Sequence, residues 1–126
     1  MYQLGLVALG GAIGASGRHL VNLLTLRLFG SGFPVGTLAV NVVGGLLMGC
    51  LAGFLALKTS GGGQSLRLFL GTGILGGFTT FSAFSLDAVS LWQRGDLAAA
   101  SAYVLASVLL SILALLAGVS LVRLLA

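Results

Sequence analysis

Acidic side chains are almost missing from this sequence. Its 126 residues include two aspartates, Asp87 and Asp96, and no glutamate, and charged residues of both signs make up 6% of the chain. A soluble domain carries about 25%. Cysteine occurs once, as Cys50 in an apolar run. That excludes an intrachain disulfide, no metal-ligand spacing surrounds it, and it reads as a small buried hydrophobe. The six Lys and Arg residues give a net charge of +4, but they are scattered, whereas nucleic-acid binding needs them clustered. No phosphate-cradling loop is present. No nucleophile–base pair or metal cluster can be assembled either, so an enzyme is not expected.

What the chain has instead is apolar length. Hydrophobic residues account for 58%, and mean hydropathy is +1.17. A soluble protein this small leaves too much of its chain at the boundary to hide them; lipid removes the need. A membrane-crossing helix takes about 20 mostly apolar residues. Four such runs are predicted in a single domain, 1–126, at roughly 3–29, 36–57, 66–92 and 97–125. Gly30-Ser31-Gly32-Phe33-Pro34, with the chain's one proline, separates the first two. Lys58 to Ser65 reads as a flexible polar linker, and Gln93-Arg94-Gly95-Asp96 turns the chain. Met1 to Ala15 is apolar with no cation before it and Arg18 after it, the reverse of a cleavable signal's order. A retained first helix is therefore expected.

Four spans put both termini and the second linker on one side, with Lys58, Arg67 and Arg123. The other side holds Arg18, Arg27 and Arg94. Orientation follows the Lys/Arg bias of short loops, and three against three gives none. Such a chain is expected to insert both ways up, which makes an antiparallel pair possible; if Arg18 lies too deep to count, a weak bias remains. Gly45, Gly49 and Gly53 recur every fourth residue, as do Gly10 and Gly14. That spacing lets helix backbones approach in lipid, within a subunit or between subunits.

Polar groups inside a span mark function by default. Arg18 lies within the first run, followed by His19 and, one turn on, Asn22. It either snorkels to an interface or stands at the mouth of an anion path, while His19 reads as interfacial or packed. Asn41, early in the second run one turn after Thr37, either bonds a neighbouring helix or offers amide donors to an anion. In the third run, Gly76-Gly77-Phe78-Thr79-Thr80 is poor helix sequence near mid-membrane. Either the glycines pack within an unbroken helix, or the helix breaks there and frees backbone groups that lipid cannot satisfy. Phe81 and Phe84 share a face; such a pair usually packs, but its ring edges carry partial positive charge. Tyr103, Ser107 and Ser111 form one stripe on the fourth run. They either bond their own backbone or line a pore with donors.

Gly36-Thr37-Leu38-x-Val40-Asn41-x-x-Gly44 and Gly76-Gly77-Phe78-Thr79-Thr80-Phe81-Ser82-x-Phe84 resemble the two signature stretches of the Fluc (CrcB) family of fluoride channels. Gly10-Gly11-x-x-Gly14-x-x-x-Arg18 resembles its first-helix motif, and the likeness runs through all four helices in order. The resemblance implies an all-α integral membrane protein of the bacterial inner or plasma membrane. It implies four transmembrane helices per subunit, the third broken near mid-membrane, in an antiparallel dual-topology homodimer with two pores. Asn41, Phe81 and Phe84 match the family's pore residues, with Thr80 and Ser82 on the polar track beside them. Tyr103, Ser107 and Ser111 match its helix-four hydroxyls, and Arg18 its vestibule arginine. Gly76 and Thr79 match positions whose carbonyls, from both subunits, hold a central sodium ion. Ala83 departs from the family's usual threonine, removing one hydroxyl. The expected activity is passive, fluoride-selective export that protects the cell.

Two other readings compete. A dual-topology multidrug or cation transporter has the same size and even charge, but exchanges protons through an intramembrane carboxylate. Here Asp87 and Asp96 fall toward the end of the third run and in the following turn. A structural subunit would explain the glycines but not the polar residues at mid-membrane.

Overall fold

The computed structural model describes residues 1–58 and 63–126. The middle of the predicted linker, residues 59–62, lies outside them. Among the described residues, four helical stretches are long and apolar enough to cross a membrane. α1 is Tyr2–Phe29 and α2 is Val35–Leu57. The third stretch, Gln64–Gln93, is in two pieces. Its first piece, α3, runs without a gap through Gln64–Leu66, Arg67–Leu75 and Gly76–Phe78; its second, α4, is Phe81–Gln93. α5 is Leu97–Leu125.

The ends follow local chemistry. α1 stops at Gly30, whose φ of 76° lies in the left-handed region that glycine enters freely. Pro34 stands immediately before α2, where its missing N–H costs nothing. Gly95, at φ 82°, closes the turn after α4. Asp96 then caps α5, its carboxylate accepting the Ala99 N–H at 3.1 Å.

The spans pair across the sequence. α1 lies along α3, and α2 along α5, in the two most extensive packings of the molecule. Glycine makes both possible. A Cβ at Gly14 would run into the Ile74 carbonyl, and one at Gly49 into the Leu115 carbonyl. Gly45 meets the Ser111 carbonyl in the same way, Gly53 lies close against the Val122 side chain, and Gly10 meets Phe69 and Gly73. The glycine repeats therefore serve contacts inside the subunit. The fully buried core is small, with Val40, Leu91 and Tyr103 as its largest members. Leu20, Leu105, Leu109 and Leu113 are more than half exposed, as a lipid-facing surface requires.

The third span breaks as expected, but not at its glycines. Gly76 and Gly77 stay helical. Thr79 (φ −85°, ψ 159°) and Thr80 (φ −155°, ψ 119°) are extended. β-branched threonines favour that region, while Gly77 packs against α1, where a Cβ would come within 2.7 Å of the Gly11 carbonyl oxygen. A second departure from regular helix lies upstream. Arg67–Leu75 winds with i→i+5 hydrogen bonds, a wide geometry rarely sustained for more than a turn.

Candidate ion pathway

One turn of α2 holds the break open. Asn41 Nδ2 donates to the Thr80 carbonyl at 3.0 Å, and Asn41 Oδ1 accepts the Thr80 N–H at 2.7 Å. This reciprocal pair fixes which way the amide points. It commits the amide oxygen and one of the two amide protons, leaving one proton for a ligand. Three residues on, a Cβ at Gly44 would overlap the Thr79 methyl. The Asn41-x-x-Gly44 spacing is thus a clamp for Thr79-Thr80, with the asparagine gripping one threonine and the glycine receiving the other.

The clamp has consequences for the backbone. In an unbroken helix the Thr80 N–H would close onto the Gly76 carbonyl, but it goes to Asn41. The Ala83 N–H would close onto the Thr79 carbonyl, but it goes to Thr80 Oγ1 at 3.2 Å, which caps α4. Two carbonyls at the break therefore lose their helical donors to side chains. The Thr79 hydroxyl turns back to the Leu75 carbonyl at 2.9 Å.

Asn41, Thr79, Thr80, Phe81, Phe84, Ser107 and Ser111 line one cavity beside the break. The Phe81 and Phe84 rings are 5.4 Å apart and inclined at 51°. They differ in exposure: Phe84 is buried and Phe81 is 78% exposed in the single subunit. Ser107 and Ser111 have buried hydroxyls with no hydrogen-bond partner among the described residues. Neither bonds its own backbone, the usual resort of a serine in a membrane helix. Ser82 is exposed, its hydroxyl 3.4 Å from that of Thr80. Ala83 offers no hydroxyl.

Tyr103 is fully buried on the same stripe of α5, but its O–H donates to Asp87 Oδ2 at 3.1 Å. Its one proton is thereby spent. Its ring stacks at an angle on Phe84, centroids 5.3 Å apart, and lies perpendicular to Phe33, centroids 5.5 Å apart. Asp87 and Thr37 in turn line a second polar cavity with Asn22, Thr25, Ser90 and Arg94, and Arg94 donates to the Gly32 carbonyl at 3.0 Å. Tyr103 therefore stands between an outer, polar cavity and the inner one at the break. Arg18 is half-buried on α1 and lines neither cavity.

The sequence reading assigned no role to Asp87, Thr25, Ser90 or Arg94 in any site. For Asp87 a signal was available, since it is the one carboxylate within the third span, one turn after Phe84.

Four apolar spans, a helix interrupted where polar groups converge, and unpaired hydroxyls facing a cavity define a multi-pass membrane protein of the ion-channel class. The particular family follows from its relatives. The chain belongs to the CrcB family: the profile described as "CrcB-like protein, Camphor Resistance (CrcB)" matches residues 5–119. It is 59% identical over 117 residues to a fluoride-specific ion channel FluC of Cereibacter sphaeroides, covering 93% of this chain and 91% of that one. A protein of the same name in Paracoccus denitrificans is 56% identical over the same shares. One in Mesorhizobium japonicum is 52% identical over 98% of each chain. The family is one of fluoride channels, not of enzymes.

Proposed function

We propose that this protein conducts fluoride passively, in the export direction, as an antiparallel dual-topology homodimer with two pores and a central sodium ion. The observation that carries the conduction is the pair of buried, unpartnered hydroxyls, Ser107 and Ser111. A buried polar group left unpaired costs about 1–3 kcal/mol, so two in file beside a cavity call for a ligand that takes hydrogen bonds. Fluoride is small and strongly hydrated. Shedding its water requires closely spaced donors, yet exit requires that none hold it too tightly. The two serines, the spare Asn41 proton and the edges of Phe81 and Phe84 supply weak donors without a full positive charge. Phe81 is largely uncovered in one subunit, consistent with a pathway completed by a second.

The break suits a small cation. The carbonyls of Gly76 and Thr79 are the two whose i+4 donors have been diverted, and carbonyl oxygens are hard ligands of the kind sodium takes. Gly76 is also exposed in the subunit. When bound, the ion supplies positive charge between the two subunits' breaks. The chain's own part is to hold both carbonyls free, through Asn41 and the Thr80 cap. Transport needs no energy source: hydrogen fluoride enters an acidified cell as a neutral molecule, dissociates, and the negative interior drives the anion out.

The test is passive efflux from liposomes containing the purified protein, read with a fluoride electrode and repeated with chloride. Fast fluoride release without chloride release is expected. Folded, dimeric protein that releases no fluoride overturns the proposal, and release that depends on a proton gradient points to the transporter reading.

A further inference from the structure

The two ends of the molecule differ in charge although their cations are equal in number. Lys58, Arg67 and Arg123 stand where α2 and α5 finish and α3 begins. Both acidic side chains are at the other end: Asp96 caps α5 and Asp87 lines the outer cavity. The three exposed cations therefore have no acidic side chain to pair with among the described residues.

An apolar slot opens between α2, α3 and α5 at that end. It has a volume of about 500 Å³ and is lined by Leu47, Cys50 and Phe54 of α2, Leu66 and Leu70 of α3, and Val122 of α5, among others. From Phe54 to Leu47 it follows α2 for about 10 Å, roughly a third of the ~30 Å hydrocarbon core. Cations surround its mouth. Lys58 Nζ lies over the Phe54 ring, 5.1 Å from the centroid. Arg123 follows Val122, and Arg67 follows Leu66, although Arg67 itself lines the adjoining groove with Gly76. That groove is a separate one. Met48, Ala52 and Leu55 line it, about a third of a turn around α2 from Leu47, Cys50 and Phe54. Covering Gly76 therefore does not cover the slot.

We propose that this slot holds an acyl chain of an anionic phospholipid, with the headgroup phosphate held by Lys58 and Arg123. An apolar slot alone would take any lipid tail, so the selection is by charge. Each basic residue near the surface favours an anionic headgroup by about fivefold in affinity. The opposite end has as many cations, but Asp87 and Asp96 offset two of them, and Arg94 is engaged with the Gly32 carbonyl. The inference does not depend on what the channel conducts.

A fluorophore placed in the slot tests it. Phe54→Trp in a Trp92→Phe background puts the chain's one tryptophan there and keeps an aromatic face for Lys58. In bilayers, brominated phosphatidylglycerol is expected to quench it at about a tenfold lower mole fraction than brominated phosphatidylcholine. Lys58→Gln with Arg123→Gln is expected to remove the preference, and Arg27→Gln, at the opposite end, to leave it. Equal quenching by the two lipids marks an ordinary lipid-facing surface and overturns the proposal. So does a preference that survives the double substitution, or quenching by neither lipid, which shows that a second copy covers the slot. If the tryptophan variant does not fold, native mass spectrometry of the unaltered chain decides. Phosphatidylglycerol is expected to stay on the parent and on Arg27→Gln and to be lost from the double variant; equal retention in all three, or none, overturns the proposal.

Discussion

The serines of α5 set up an opposition between stability and conduction. Ser107→Ala and Ser111→Ala each remove a buried hydroxyl that has no partner. Each is therefore expected to raise stability by about 1 kcal/mol, seen as a higher melting temperature in detergent. Each also removes a donor from the file, and fluoride efflux is expected to drop about tenfold. A serine whose removal destabilises the fold has a structural partner, and its place in the pathway fails. Asn41 behaves differently, because it is fastened to the break. Asn41→Ala leaves both the N–H and the carbonyl of Thr80 without partners and is expected to cost roughly 2–4 kcal/mol as well as conduction; melting and efflux measured on one preparation separate the two losses. The sequence showed that this asparagine was polar and within a span, but not which backbone it would hold, since Thr80 lies 39 positions away. Asp87 and Tyr103 illustrate the same limit. Each was visible as a polar residue in an apolar run, yet the bond that takes the tyrosine's proton depends on how α4 and α5 pack.

The helices were the most legible part of the chain. Hydropathy alone placed the observed boundaries to within about two residues, as expected where apolar runs end at glycine, proline or charge. The break was legible as a weakness within Gly76-Gly77-Phe78-Thr79-Thr80, and the structure narrows it to the two threonines. Glycine pairs and threonine pairs both disfavour helix, and only the α1 contact decides that the glycines stay helical. The i→i+5 winding of α3 left no readable sign, because its apolar residues satisfy two periods within so short a stretch. Glycine spacing was read correctly as close packing, and its partners yield a graded expectation. Gly14→Ala drives a methyl into the Ile74 carbonyl, whereas nothing lies within 4 Å of a Cβ at Gly5. The first substitution is expected to cost about 3 kcal/mol or more through forced separation of α1 and α3. The second is expected to be neutral or to stabilise by about 0.5 kcal/mol through helix propensity. Thermal melts of the two variants side by side check the difference.

For the molecule as a whole, the cations divide three and three between its two ends when Arg18 is counted with Arg27 and Arg94, and orientation responds to small changes in such a count. Ser31→Arg with Gln93→Arg adds two cations to one end; Gln64→Lys with Ser65→Lys adds two to the other. Each variant alone is expected to insert in one orientation and, if the working pair is antiparallel, to conduct little. Expressed together, they are expected to restore fluoride efflux. Activity from one singly oriented variant would show that the antiparallel pair is not required. The pairing of α1 with α3 and of α2 with α5 carries a different consequence, for how the protein is made. Neighbours along the chain are not the closest neighbours in space, so α1 and α2 each emerge before their main partner has been made. After two spans have been synthesised, both glycine-lined faces still look into lipid, and the first is covered only when α3 arrives. The second must wait for α5, the 29 residues Leu97–Leu125. Until α5 is made, only the α1–α3 half of the packing can form, and a chain cut short before α5 leaves the glycine-lined face of α2 open to lipid.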